Sequence, residues 1–279
     1  MNVAGKHVFV TGGAHGIGRA LCRAFSREGA GALTVVDLDV DGALALASEL
    51  DGLGLEADVS RETAVRRAIA QAVAAHGPID LLCSNAGVAF SDAPGWTAAS
   101  QTDAQWDLIW RINVMSHVWA ARAVLPSMIK RGGGYLLHTV SAAGLLNQIA
   151  DAAYSTTKHA ALGFAESVAI THGEQGVGVS VLCPQAVATR MFRGAEFEAA
   201  AKAAMADGVL TAEDVARAAV EGLRDEAFLI LPHPKVLSYF QRKAADYDRW
   251  LAGMRRFRRS LIPSDDIMTL GETEPTNET

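Results

Sequence analysis

Short runs rich in Val, Ile and Leu alternate with longer Ala-rich amphipathic stretches along most of the 279 residues. The strand-like runs fall at 7–10, 32–36, 53–57, 80–83, 135–140, 177–183 and 228–231. Helical periodicity covers 16–27, 43–50, 62–76, 104–131, 152–172 and 211–224, most of these bounded by Gly, Pro, Asp or Ser. Such alternation is the pattern of βαβ units, and strands apolar on both faces require helices above and below them. The expected fold is therefore α/β, a doubly wound parallel sheet of about seven strands in three layers. Ligands in such a sheet bind beyond the carboxyl ends of the strands.

Two regions depart from this alternation. From 185 to 208 the chain loses strand character and becomes Ala-rich around Met191, Phe192 and Phe197, which predicts a short helical flap. From 233 to 259 an amphipathic stretch carries eight Lys or Arg against two Asp, with Val236, Leu237, Tyr239, Phe240, Tyr247, Trp250, Leu251 and Met254 as its apolar positions. It reads as one further helix that serves as an intersubunit helix, a cover over the substrate mouth or a membrane-surface anchor, the first two favoured. The expected organisation is one domain over 1–262, including this helix, and an acidic flexible tail at 263–279.

Composition narrows the function classes. A net charge of −6 gives no electrostatic reason to bind nucleic acid. No apolar run reaches the ~18 residues that cross a bilayer, so a cytoplasmic protein without stable membrane insertion is expected. Cys22, Cys83 and Cys183 lack metal-ligand spacing and sit in apolar patterns, as buried free thiols do. No metal-binding cluster stands out.

Chemistry concentrates in two places. The run Thr11-Gly12-Gly13-Ala14-His15-Gly16-Ile17-Gly18 follows the first strand and opens the first helix. There glycines permit a tight turn and let a pyrophosphate approach the free N–H groups of the helix N-terminus. Asp37 ends the second strand, where a carboxylate accepts hydrogen bonds from ribose hydroxyls and repels a 2′-phosphate; Leu38 supplies no basic residue to neutralise one. NAD is therefore preferred over NADP, with His15 and Arg19 as the counter-evidence. Asp58 and Val59 close the third strand and Asn85-Ala86-Gly87 the fourth, at the end where adenosine belongs; Asp58 also reads as a cap and Asn85 as turn chemistry. Further along, Tyr154 and Lys158 share a helix face thirteen residues after Ser141. An ammonium beside a phenol is expected to lower its pKa from ~10 and fit it for proton transfer.

Taken together in this order and spacing, the glycine run, Asn85-Ala86-Gly87, Asn113, Ser141 and Tyr154-x-x-x-Lys158 resemble the short-chain dehydrogenase/reductase family from about residue 6 to 189. The resemblance implies a Rossmann-type single domain, a nicotinamide cofactor and a catalytic tetrad at Asn113, Ser141, Tyr154 and Lys158. It also implies cofactor contacts from Tyr154, Lys158 and the segment after the sixth strand, here Pro184, Val187 and Thr189. Gln185 stands where the family usually has glycine, which bears on the backbone near the nicotinamide. A homotetramer or homodimer through the helices at 104–131 and 152–172 is implied as well.

Phe90, Trp96, Leu145, Leu146, Met191 and Phe192 follow strands or lie in the flap, and predict an apolar pocket for a hydrophobic secondary alcohol or its ketone. Asp151 precedes Tyr154 by nearly a turn and reads either as a pocket residue or as a helix cap. Two alternatives remain: the same chemistry on a sterol or other large lipid alcohol, and a non-catalytic module that senses NADH.

Overall fold

The computed structural model describes residues 1–191 and 198–262. Seven parallel strands form one sheet in the order β3-β2-β1-β4-β5-β6-β7. They are β1 (His7–Thr11), β2 (Ala32–Asp37), β3 (Leu53–Glu56), β4 (Leu81–Ser84), β5 (Gly134–Thr139), β6 (Val177–Leu182) and β7 (Leu229–Ile230). The order reverses between β1 and β4, so the crevice of a doubly wound sheet opens beyond those two strands.

Strand side chains sort between the faces with period two. Phe9, Leu82, Leu136 and Val181 join one apolar core, against α3 (Glu62–His76), α5 (Ser116–Arg131) and α7 (Ala152–His172). Val8, Val10, Leu81, Cys83, Leu137 and Leu182 join the other, against α1 (Gly16–Arg27), α2 (Val40–Glu49) and α9 (Ala212–Arg224). The three cysteines are free and buried. Among the described residues, no helix is long and apolar enough to cross a membrane.

Two helices differ from the sequence expectation. The stretch expected as one helix at 104–131 is α4 (Asp103–Trp110), a π-helical turn (Arg111–Met115) and then α5. The widened turn holds Asn113, whose side chain is fully buried and bonded to Val88 N, Val88 O and the Thr157 hydroxyl, at 2.9, 2.9 and 3.1 Å. Turns of this kind re-aim single side chains inside long helices. The stretch expected as one helix at 233–259 is two, α10 (Lys235–Ala245) and α11 (Tyr247–Leu261). Asp246 divides them, extended at φ −154°, its carboxylate accepting from Arg249 N at 3.0 Å. An Asp that satisfies a helix N-terminus competes with helix continuation, which periodicity alone does not register.

The short helix α6 (Ala143–Leu146) follows β5, and α8 (Glu198–Ala204) with the 3₁₀ turn Met205–Asp207 forms the helical part of the flap. Phe192 and Phe197, like the expected tail at 263–279, lie outside the described residues.

Candidate active site

A cavity of about 820 Å³ runs from the glycine loop, past the carboxyl ends of β1, β4 and β5, to the C-terminal helices. Its first half is set by backbone. Gly12 has φ +64°, and a Cβ there would stand 2.9 Å from Ala86 Cα; one on Gly18 would stand 2.0 Å from Gly12 O and 2.6 Å from the Asn85 amide nitrogen. Only glycine permits loop, helix and β4 turn to close together. Asn85 spans the junction: its amide donates to Thr11 O and Gly12 O at 3.0 and 3.2 Å, and its carbonyl oxygen accepts from the Thr139 hydroxyl at 3.1 Å.

At the end of β2 the Asp37 carboxylate accepts from Ala14 N at 2.9 Å and Asp39 N at 3.1 Å, which holds it at the cavity wall beside Leu38. Leu38 is 66% exposed. The ring of His15 faces Asp39 at 2.7 Å, one carboxylate further on. Asp58 lines the cavity while its carboxylate accepts from Ser60 N and the Ser60 hydroxyl, a local turn. Gly16, Ile17, Val59, Ala86, Gly87, Pro184, Val187 and Thr189 also line this half. A Cβ on Gly16 would stand 3.1 Å from Thr189 Cγ2, so the glycine loop lies close against the segment after β6.

The inner wall carries Ser141, Tyr154 and Lys158. Ser141 leaves β5 with its hydroxyl accepting from Ala143 N at 3.0 Å and donating to Pro184 O at 3.4 Å, beside the Tyr154 phenol whose pKa it lowers. Lys158 Nζ donates to Thr139 O at 3.2 Å and lies 5.5 Å from the Tyr154 ring centre. Asn113 sits behind this wall; its Oδ1 and Lys158 Nζ each stand 3.4 Å from where a Cβ on Gly87 would be. Burial, only partly offset by the Ser141 hydrogen bond, pushes the Tyr154 phenol up to about 12. Burial also brings Lys158 down to about 8. The expected lowering of the phenol by Lys158 is therefore absent from the protein alone. Desolvation outweighs it because the ammonium lies over the ring and is turned to a backbone carbonyl.

Asp151 is buried as the cap of α7, accepting from Tyr154 N and Phe90 N at 2.9 Å each and from the Gln101 amide at 3.1 Å. Burial pushes its carboxyl up to about 7. Of the expected pocket residues, Leu146 and Met191 line the cavity. Asp151 does not, since it points into the helix start; Leu145 is buried in the sheet core, Trp96 packs toward α11, and Phe90 belongs to the apolar cluster that holds Tyr154 and Met191. Tyr239 and Arg242 from α10, with Trp250, Met254 and Phe257 from α11, form that wall instead. Their signal in the sequence was the amphipathic aromatic spacing of the C-terminal stretch. Gln185, at the position usually glycine, donates from its backbone N to His233 Nδ1 at 3.1 Å and from its amide to Asp207 at 3.3 Å, so it ties the loop after β6 to the start of α10. Among the described residues, no group of three His, Cys, Asp or Glu side chains is placed to hold a metal ion.

A family model described as short chain dehydrogenase matches residues 6–200. The chain belongs to the short-chain dehydrogenase/reductase family. Among relatives of this short-chain dehydrogenase, a 1-deoxy-11-beta-hydroxypentalenate dehydrogenase of Streptomyces exfoliatus is 35% identical over 237 residues, covering 82% of this chain and 84% of that protein. A mitochondrial borneol dehydrogenase of Lavandula x intermedia is 30% identical over 229 residues, covering 82% and 87%. The crystal structure of a short-chain dehydrogenase/reductase from Burkholderia phymatum in complex with NAD superposes with a TM-score of 0.80 at 26% identity, covering 89% of this chain and 96% of that one. The protein is an oxidoreductase of this family.

Proposed function

We propose that the protein transfers hydride between NAD(H) and a hydrophobic secondary alcohol or ketone, with Tyr154 as the proton-transferring group. The observation that carries this reading is the convergence of Ser141, Tyr154 and Lys158 on the inner wall of a cavity that joins a glycine cradle to an apolar chamber. A bound nicotinamide supplies the hydride acceptor or donor. Every proton step belongs to the chain. With its pKa raised, Tyr154 rests as a neutral phenol and donates its proton to a carbonyl oxygen in the reductive direction. Ser141 holds the same oxygen as charge develops on it. In the oxidative direction the phenol must first ionise, which the positive charge of an oxidised nicotinamide would favour. Asn113 keeps the π-helical turn against Val88, and its Oδ1 and Lys158 Nζ both face Gly87, a place for a water that links the lysine to solvent.

NAD is favoured over NADP by the Asp37 carboxylate and the exposed Leu38, and a neighbouring family structure is an NAD complex. The apolar chamber and relatives named for a hydroxypentalenate and for borneol support an alcohol on a hydrocarbon-rich frame. A homo-oligomer through the helices α4–α5 and α7 accords with the exposed Leu108, Trp110 and Ile170, at 41, 40 and 84%.

Tyr154→Phe tests the assignment. Turnover should be abolished with a borneol and menthol panel, while NADH affinity, followed by tryptophan and cofactor fluorescence, changes little. Retained turnover would exclude Tyr154 as the proton-transferring group.

A further inference from the structure

Within the substrate half of the cavity the wall is mainly apolar, with Asn147, Gln148 and Gln185 as neutral polar members and a small charged group. Asp37, Asp58 and Arg190 stand on the cofactor side, Lys158 at the inner wall, and among the described residues Asp207 and Arg242 are the charged side chains that remain. Asp207 is satisfied: it accepts from Lys235 Nζ and the Tyr239 hydroxyl at 3.0 Å and from the Gln185 amide at 3.3 Å. Arg242 takes part in none of the ion pairs among the described residues. Arg242 is solvent-exposed where it lines the cavity; its guanidinium is laid over the Tyr239 ring, 5.6 Å from the centre, and its N–H fork makes no hydrogen bond to the described residues.

Two further features belong to the same cavity and its supports. The neighbouring Lys243 is buried and donates from Nζ to Leu145 O at 2.7 Å, fastening the turn that carries Arg242 to the end of α6. Asn147, the residue that ends α6, also lines the cavity and holds φ 85°, ψ 151°, a region open in practice to glycine alone. A non-glycine residue strained at a cavity wall, with an amide to offer, marks a place where that side chain is used.

Resting on the dehydrogenase reading above, we propose that Arg242, with Asn147, is a carboxylate subsite, and that the substrate is a hydroxy acid. Its secondary hydroxyl reaches Ser141 and Tyr154, its hydrocarbon frame fills the chamber between Met191, Trp250 and Met254, and its carboxylate meets the guanidinium fork. A single planar cation matches a carboxylate better than a phosphate dianion, which would call for further positive charge.

The test uses the full chain saturated with NADH and two probes of one shape, 1-adamantanecarboxylate and the neutral 1-adamantanecarboxamide, with affinities from calorimetry. The carboxylate should bind roughly tenfold tighter, and the advantage should shrink as salt rises. Arg242→Met should weaken the carboxylate by about that factor and the carboxamide far less, Arg242→Lys should keep part of the preference, and Asn147→Gly should lower it by roughly threefold. Equal affinity for the two probes, binding of neither, or equal weakening of both by Arg242→Met overturns the subsite while the NADH titration leaves the dehydrogenase reading standing. Failure of NADH itself to bind overturns both.

Discussion

The two halves of the cavity are built on different principles. In the cofactor half, backbone meets backbone: Gly12 and Gly18 bring a loop, a helix and the β4 turn within distances that a single Cβ would violate. In the substrate half, side chains of α10 and α11 lean on the domain, and no residue of α11 is fully buried. The first arrangement admits few residue types at each position, and the second admits any apolar residue of suitable volume. Tolerance to substitution should therefore change sharply across Tyr154.

The largest effect should come from Gly18→Ala. Its Cβ would lie 2.0 Å from Gly12 O, so the loop must move, at a cost of about 1–3 kcal/mol, and NADH affinity should fall with the melting temperature. A variant with normal NADH affinity would show that the cradle is looser than its contacts indicate. Next, Asp37→Ala should weaken NADH by roughly tenfold and NADPH by much less, read from paired titrations. Equal weakening would mean that the carboxylate serves only Ala14 N and Asp39 N.

Across the divide the expected effects are smaller. Trp250→Ala should raise KM for an apolar alcohol about threefold to tenfold with kcat nearly constant, because it removes apolar wall without touching the inner side chains. A fall in kcat alone would place Trp250 in the chemistry instead. The smallest effect belongs to Asp151→Asn and is one of pH. Burial raises this carboxyl to about 7 in the folded chain against ~4 unfolded, so folding binds a proton between those values. Its contribution to stability is present at acid pH and is lost as pH rises through about 7. The variant should flatten the melting temperature over that window; an unchanged slope would show that another group is responsible.

Legibility in the sequence follows the same divide. Strand positions were readable because both-sided burial demands unbroken Val, Ile and Leu, and the glycine run was readable because its geometry excludes every other residue. The break at Asp246 was not, since one capping carboxylate in an amphipathic stretch looks like a solvated charge. Nor was the placement of Leu145 and Asp151, because nearness in sequence to a strand end does not say whether a side chain points into the cavity, the core or a helix start. Arg242 was hidden among eight cations of the C-terminal stretch, where spacing does not distinguish the one that faces a chamber. The raised phenol of Tyr154 could be learned only from its burial.

Asn85 bonds the carbonyls of the glycine loop with one end of its amide and the Thr139 hydroxyl at the close of β5 with the other. The glycine loop and the wall that carries Tyr154 are thus gauged from a single planar group rather than from two loops that settle independently. Alignment errors that would otherwise accumulate over the fifty-odd residues between them are cancelled at one amide.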